Sequence, residues 1–190
     1  KNLMACMMFD TKPGEVIEMK VALSNANVAG AVAALNKESA IGFDAAKKNA
    51  ETLWENELEK MTVKSTNKDL LQNFYTALYH SCLAPVTFSD INGNYKGVKG
   101  NEVKSAKPVY SIHSLWDIFR AEAPLFTLFQ ADRVTDIVNS YYAFYEQYGL
   151  LPIWDLGFNE TNTMTGYHSI PIISDAIMKN IPGVDAAKLF

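Results

Sequence analysis

Polar and aromatic side chains concentrate in residues 113–120, where Trp116 is followed directly by Asp117. Neighbouring residues of a helix point about 100° apart, so this indole and this carboxylate would flank one small ligand. The apolar face of a sugar ring packs on an indole, and a carboxylate accepts hydrogen bonds from sugar hydroxyls. The pair therefore indicates a sugar-binding position. The alternative is a core tryptophan beside an Asp117–Arg120 ion pair on one helix face.

A second group of candidate binding residues lies in residues 151–168. Trp154 and Glu160 stand in a loop rich in Gly, Pro and Asn, and His168 follows on the next predicted helix. Loops that precede a helix often present side chains to a ligand. Two alternatives stay open at this point. Glu160 would be a capping carboxylate near the N-terminus of that helix, and His168 would be a buried histidine with satisfied hydrogen bonds.

Composition excludes several other kinds of site. The net charge is −4, and the only arginines are Arg120 and Arg133, so there is no electrostatic footprint for nucleic acid. The histidines at 80, 113 and 168 lack the spacing of a zinc site, and no metal site is predicted in this chain. No apolar run reaches the roughly 18 residues of a membrane span.

The elements that must position these residues are mostly helical. Apolar runs and alternation predict two strands, at residues 3–9 and 17–23, which need a sheet to join. Period-3.6 spacing predicts the helices that follow. These cover residues 27–38, 43–60, 67–83, a segment from the cap Ser114 toward Pro124, 131–148 and 164–179, with another begun at Asp185. Residues 84–112 break the helical pattern, with a hairpin turn favoured near 90–95.

Taken in order, several segments resemble glycoside hydrolase family 92, the calcium-dependent exo-acting α-mannosidases. The resemblance runs from about residue 15 to the end. Its segments are Phe74–Tyr79, Asp90–Tyr95, Ser114–Arg120, Gly149–Trp154, and Asn159–Thr161 with Gly166-x-His168. Five segments in order are more specific than any one, and they favour the ligand-facing interpretation of Trp116 and Asp117.

The resemblance implies a mainly α fold, part of an (α/α)6 toroid preceded by two β-strands left from an N-terminal β-sandwich. Residues 1–25 would be the last strands of the sandwich. Residues 26–42 would be a linker with a short helix, and residues 43–190 the first part of the toroid, incomplete. An incomplete toroid exposes apolar helix faces, so we expect this chain by itself either to associate with other copies or to rearrange into a compact bundle.

The resemblance also implies an activity for the full-length protein: hydrolysis of terminal α-linked mannose, α-1,2 foremost, in mannose-containing glycans, with inversion. Inverting enzymes use one carboxylic acid and a separate carboxylate. The family's acid, base and most ligands of its calcium ion are expected beyond Phe190, which leaves the chain inactive by itself. Asp117 matches a residue that binds mannose where the sugar is cleaved; Glu160 as general acid is the lesser alternative. Export from the cell is expected.

Two other functions stay open. Another (α/α)6 carbohydrate-active enzyme would share the toroid but differ in catalytic residues. A non-catalytic helical scaffold or carbohydrate-binding module would keep Trp116, Asp117 and Trp154 internally satisfied, with no shared open face.

Overall fold

The computed structural model describes residues 4–189, so residues 1–3, with Leu3 of the first predicted strand, lie outside it. The described helices are α1 (Val28–Glu38), α2 (Phe43–Leu58), α3 (Lys68–Ser81), α4 (Leu115–Ile118), α5 (Glu122–Phe129), α6 (Ala131–Tyr148), α7 (Ser169–Met178) and α8 (Ala186–Leu189). The described strands are β1 (Val86–Thr87), β2 (Asn94–Lys96), β3 (Glu102–Lys104), β4 (Tyr110–Ser111), β5 (His113–Ser114) and β6 (Trp154–Asp155). Within these residues, no helix combines the length and apolar character that crossing a membrane requires.

Helix α6 is the centre of the packed region. Val134, Ile137, Val138 and Tyr141 recur at helical spacing and are buried against residues of α5 and α7, and Phe144 continues the same face into a second cluster. That second cluster adds Phe88, Tyr95, Val109 and Phe158 from the region around the short strands. The helix ends at Gly149, whose φ of 90° is the left-handed geometry that glycine supplies at a helix C-terminus. One helix thus anchors both cores.

The predicted strands of the first 25 residues are not formed in the structure. Residues 4–25 have no helix or strand, and Met8 and Leu23 are almost fully exposed. A strand needs a partner for its backbone groups, and no strand within residues 4–189 forms a ladder with this segment. The assignment of residues 1–25 to a sandwich stays a prediction.

Helices α1 to α3 match their predicted ranges within about two residues but are only thinly covered. Asn27 and Asn67 cap α1 and α3 by accepting backbone N–H groups through their side chains. On α2, the apolar side chains of Phe43 and Leu53 are 67% and 69% exposed. Uncovered apolar faces of this kind favour association between copies of the chain. The expected self-association stays a prediction, which light scattering tests.

Residues 84–112 contain more regular structure than the sequence predicts. β1 pairs with β4, and β2 pairs with β3, both antiparallel. The predicted turn forms immediately before β2, where the Gly93 N–H donates to the carbonyl of Asp90 over 2.8 Å. Strands of two or three residues carry too little periodicity to be recognised in a sequence.

Two predicted helix boundaries are wrong. The sequence predicts that Pro124 ends or kinks the helix that begins after Ser114, but α4 already stops at Ile118 and Pro124 lies in the first turn of α5. Proline is tolerated there because first-turn N–H groups have no helical partner. The last long helix begins at Ser169 rather than at 164, because Gly166 has a φ of +89° that no right-handed helix contains.

Candidate functional site

The site begins with the pairing of β5 and β6, which joins the two Trp-Asp dipeptides of the sequence. His113 lies opposite Asp155, and Ser114 lies opposite Trp154. Helix α4 starts directly after Ser114 and carries Trp116. One short antiparallel ladder therefore sets the position of both tryptophans.

Asp155 is the hub of a buried polar cluster. It is 1% exposed, as is His113, whose Nδ1 contacts Asp155 Oδ1. The Ser111 hydroxyl donates to Asp155 Oδ2 over 2.6 Å, and the His113 backbone N–H donates to Oδ1 over 3.2 Å. A carboxylate removed from water is costly unless such donors surround it. The buried Asp155 carboxylate is thus an acceptor whose hydrogen bonds come from three donors.

The backbone around this cluster is strained. Ile112 has a φ of 68°, and Phe158 has a φ of 60°, both in the left-handed region. For a β-branched residue such a conformation is a clear outlier and costs about 1–3 kcal/mol. The turn at Ile112 lets Ser111 belong to β4 while His113 belongs to β5, and the Phe158 N–H donates to the Ser111 hydroxyl over 2.9 Å. The polar cluster holds both strained residues in place.

Trp116 stands at the surface with its indole supported on two sides. It is 39% exposed, and the His168 ring meets it edge-on with centroids 5.2 Å apart. The Arg120 guanidinium lies 4.8 Å from the indole centroid and 4.4 Å from the ring of Phe119. The same group donates to the Trp116 carbonyl over 2.9 Å. A partly exposed indole fixed by a cation and an imidazole offers a rigid platform for a sugar face.

Asp117 is exposed beside that platform. Its Oδ2 accepts a hydrogen bond from the Ser114 hydroxyl, so the residue that pairs with Trp154 also orients the carboxylate. Ser114 is the predicted cap of α4, but its hydroxyl bonds to the Asp117 side chain and no side-chain cap bond to the helix backbone forms. A carboxylate oxygen has lone pairs in more than one direction, so the remaining acceptor capacity faces solvent.

Glu160 holds the loop around Trp154. Its carboxylate accepts the backbone N–H of Ile153 over 2.8 Å, that of Trp154 over 3.2 Å, and that of Asn162 over 3.2 Å. Both carboxylate oxygens are thus engaged by backbone donors of the Trp154 loop. Glu160 therefore caps no helix, and its alternative role as the general acid stays a prediction.

His168 is half-buried at the start of α7, and its Nδ1 has no hydrogen-bond partner within the described residues. The alternative of a buried histidine with all its hydrogen bonds satisfied therefore does not describe His168 within these residues. Gly166 explains the close packing: a Cβ at that position would lie 2.0 Å from Cε1 of the ring. The Gly166-x-His168 spacing sets the imidazole against Trp116.

The structure brings the five predicted site residues together. Trp116 contacts His168, Ser114 joins Asp117 to the backbone opposite Trp154, and Glu160 binds the Trp154 N–H. Sequence reasoning missed the buried cluster of Ser111, His113 and Asp155 beneath them. The adjacent Trp-Asp pairs were its only local signal.

Tyr141 and Glu122 add two unusual groups below the site. Burial, with the nearby charges of Asp155 and Glu122, raises the pKa of Tyr141 well above its ordinary value. The Tyr141 ring meets His113 edge-on at 4.8 Å, and its buried hydroxyl has no partner within the described residues. Burial raises the pKa of Glu122 to about 7. Both side chains line one small apolar cavity of about 20 Å³ between α5, α6 and α7.

Comparison with known proteins supplies the deciding observation. The model of the glycosyl hydrolase family 92 catalytic domain matches residues 30–190. The chain belongs to glycosyl hydrolase family 92. The catalytic domain of family 92 is an (α/α)6 toroid, which confirms the expectation of a mainly α chain that forms part of such a toroid.

Solved family 92 structures superpose on most of the chain. The α-mannosidase BT3965 from Bacteroides thetaiotaomicron is 35% identical with a TM-score of 0.83, and has also been solved with mannoimidazole. The inverting mannosidase BT2199 from the same organism is 29% identical with a TM-score of 0.81. Each match covers 87% of this chain, but only 22% of BT3965 and 23% of BT2199. The chain thus spans less than a quarter of these relatives' length. No curated protein matches it.

The calcium ion expected for a family 92 enzyme finds no ligand shell in the described part of this chain. Within residues 4–189, no group of three or more His, Cys, Asp or Glu side chains is placed to hold a metal ion. Glu160 and Asp155 are engaged by backbone and side-chain donors, and Asp117 is the one carboxylate of the site with free capacity. Calcium prefers six to eight oxygen ligands, so these residues do not fit it unaided.

Proposed function

We propose that the protein to which this chain belongs hydrolyses terminal α-linked mannose, α-1,2 foremost, with inversion at the anomeric carbon. The observation that carries the proposal is the exposed Trp116–Asp117 pair, braced by His168, in a family 92 chain. Support also comes from the 35% identity to an α-mannosidase that binds mannoimidazole. The indole would stack on the apolar face of mannose, and the Asp117 carboxylate would accept its hydroxyls.

The chain's part in this reaction is to bind and orient the sugar. His168 packs edge-on against Trp116, Trp154 lies opposite Ser114 across the β5–β6 ladder, and Glu160 keeps the Trp154 loop in place through backbone hydrogen bonds. An inverting hydrolysis also needs an acid and a base about 6.5–9.5 Å apart. We propose that both lie beyond Phe190, because Asp155 and Glu160 are already engaged as acceptors and Asp117 is the residue proposed to bind the sugar.

Nuclear magnetic resonance tests the proposal on the protein extended through its C-terminal region. The extended protein is incubated with an α-mannoside, and the anomeric proton of released mannose is followed before mutarotation. We expect β-mannose to appear first, and a calcium chelator to slow its release. First appearance of α-mannose would overturn inversion. Release of another sugar in preference to mannose would favour a different toroidal enzyme, and sugar binding without hydrolysis a binding module.

A further inference from the structure

His113 lies beneath the sugar-facing residues and is closed off from solvent. It and Asp155 are each 1% exposed, so neither side chain is available to a ligand. Any effect of His113 on sugar binding must therefore act through its neighbours. Those neighbours are Ser114, which follows His113 in β5, and Trp154, which precedes Asp155 in β6.

The connection between the two Trp-Asp dipeptides is short and weak by itself. β5 and β6 share only two residue pairs, and a ladder of that size is not stable without other contacts. Side chains supply them, because Asp155 accepts from the Ser111 hydroxyl and from the backbone and ring of His113. The spacing between the dipeptides depends on these bonds.

The His113 ring has one polar anchor. Its Nδ1 contacts Asp155, while its Nε2 is buried without a hydrogen-bond partner within the described residues. The edge-on contact with Tyr141 fixes the ring from another side but offers it no hydrogen bond. Since an imidazole nitrogen is oriented by the bond that it makes, Asp155 determines how this ring stands.

From these contacts we propose that His113 is a positioning residue. Through Asp155 it sets the distance between Trp154 and the Trp116–Asp117 pair, and so the size of the space between them in which mannose would bind. The sugar part of this inference rests on the proposed function, while the positioning part does not.

Fluorine resonances of the three tryptophans test the positioning part directly. In this chain labelled with 5-fluorotryptophan, Trp116 and Trp154 report on the site. Trp54, packed on Tyr79 at 4.6 Å in the region of α2 and α3, is the internal control. His113→Leu removes the donor, whereas His113→Asn retains a donor near the Nδ1 position. We expect His113→Leu to shift or broaden the Trp116 and Trp154 signals and His113→Asn to restore them, with Trp54 unchanged.

Two outcomes would overturn the positioning role. One is that the Trp116 and Trp154 signals stay in place in His113→Leu. The other is that His113→Asn disturbs these two signals as strongly as His113→Leu does. This second criterion also applies if His113→Leu unfolds, because His113→Asn is then still expected to keep the parent signals. His80→Leu, at an exposed position of α3, is the matched control and is expected to leave the Trp116 and Trp154 signals unmoved.

Binding of mannoimidazole to the extended protein tests the sugar part. A misplaced binding group costs up to about 100-fold, so we expect His113→Leu to weaken binding by at least about 10-fold. His113→Asn is expected to stay within about threefold of the parent protein. Equal affinity in the parent and His113→Leu would contradict the inference. If the parent itself fails to bind mannoimidazole, the proposed function fails, and the fluorine experiment still decides the positioning role.

Discussion

The imidazole of His168 meets the indole of Trp116 edge-on, with ring centroids 5.2 Å apart and planes at 89°. The sequence places these residues more than 50 positions apart, on α4 and at the start of α7. Their contact makes the exposed tryptophan a fixed platform rather than a mobile surface side chain.

Gly166→Ala tests whether this contact matters for sugar binding. The new Cβ would fall 2.0 Å from His168 Cε1, so the ring must move away from Trp116. In the extended protein, we expect mannoimidazole affinity to fall by about 10-fold or more. Gly149→Ala is the matched control, because Gly149 has a similar φ of +90° and nothing within 4 Å. It should cost about 1–2 kcal/mol of stability with affinity unchanged. Equal affinities in the two variants would contradict a binding role for His168.

Asp117→Asn tests whether the Asp117 carboxylate accepts hydrogen bonds from the sugar. Hydrogen bonds to a charged group contribute about 1.5–3 kcal/mol, so kcat/KM of the extended protein for an α-mannoside should fall by about 10- to 150-fold. Because Asp117 is exposed, stability should change by less than about 0.5 kcal/mol. Asp69→Asn, an exposed first-turn aspartate on α3, serves as control in steady-state kinetics and urea unfolding. An unchanged kcat/KM in Asp117→Asn would remove the residue from the site.

Glu160→Gln separates loop support from general-acid chemistry. Glutamine keeps only one acceptor oxygen for the N–H groups of Ile153, Trp154 and Asn162, so unfolding free energy should fall by about 1–3 kcal/mol. A substrate with an activated leaving group needs no protonation, whereas a mannobiose does. We expect Glu160→Gln to slow both substrates alike. A loss confined to mannobiose would identify Glu160 as the acid.

Stability should depend on pH through Glu122. Its pKa rises from 4.5 unfolded to about 7 folded because burial disfavours the charged form. Between these values the folded state binds more protons, so the free energy of unfolding falls as pH increases from about 4.5 to 7. Allowing for its partial exposure, we expect a loss of about 1–2 kcal/mol, measured by urea unfolding at a series of pH values. Glu122→Gln should flatten this slope, while Glu55→Gln on exposed α2 should not. A slope that survives in Glu122→Gln would assign it to another group.

Local sequence patterns predicted the helices that position the site, but they did not predict the contacts within the site. The apolar spacing of α6 and the glycine that ends it are contained in about 19 consecutive residues, and the helix is where the pattern places it. The His113–Asp155 bond joins residues 42 positions apart and leaves no periodic trace. The strands predicted before residue 25 are not formed in the described residues for the complementary reason, since their pattern is local but no partner strands pair with them there.

The most direct test of the account compares hydrolysis of α-1,2-mannobiose by this chain and by the protein extended through its C-terminal region, each with and without a calcium chelator. The account predicts chelator-sensitive hydrolysis by the extended protein and none by the chain, because it assigns sugar binding to this chain and the acid and base to residues beyond Phe190. Hydrolysis by the chain alone would contradict that division and place the chemistry on its own carboxylates.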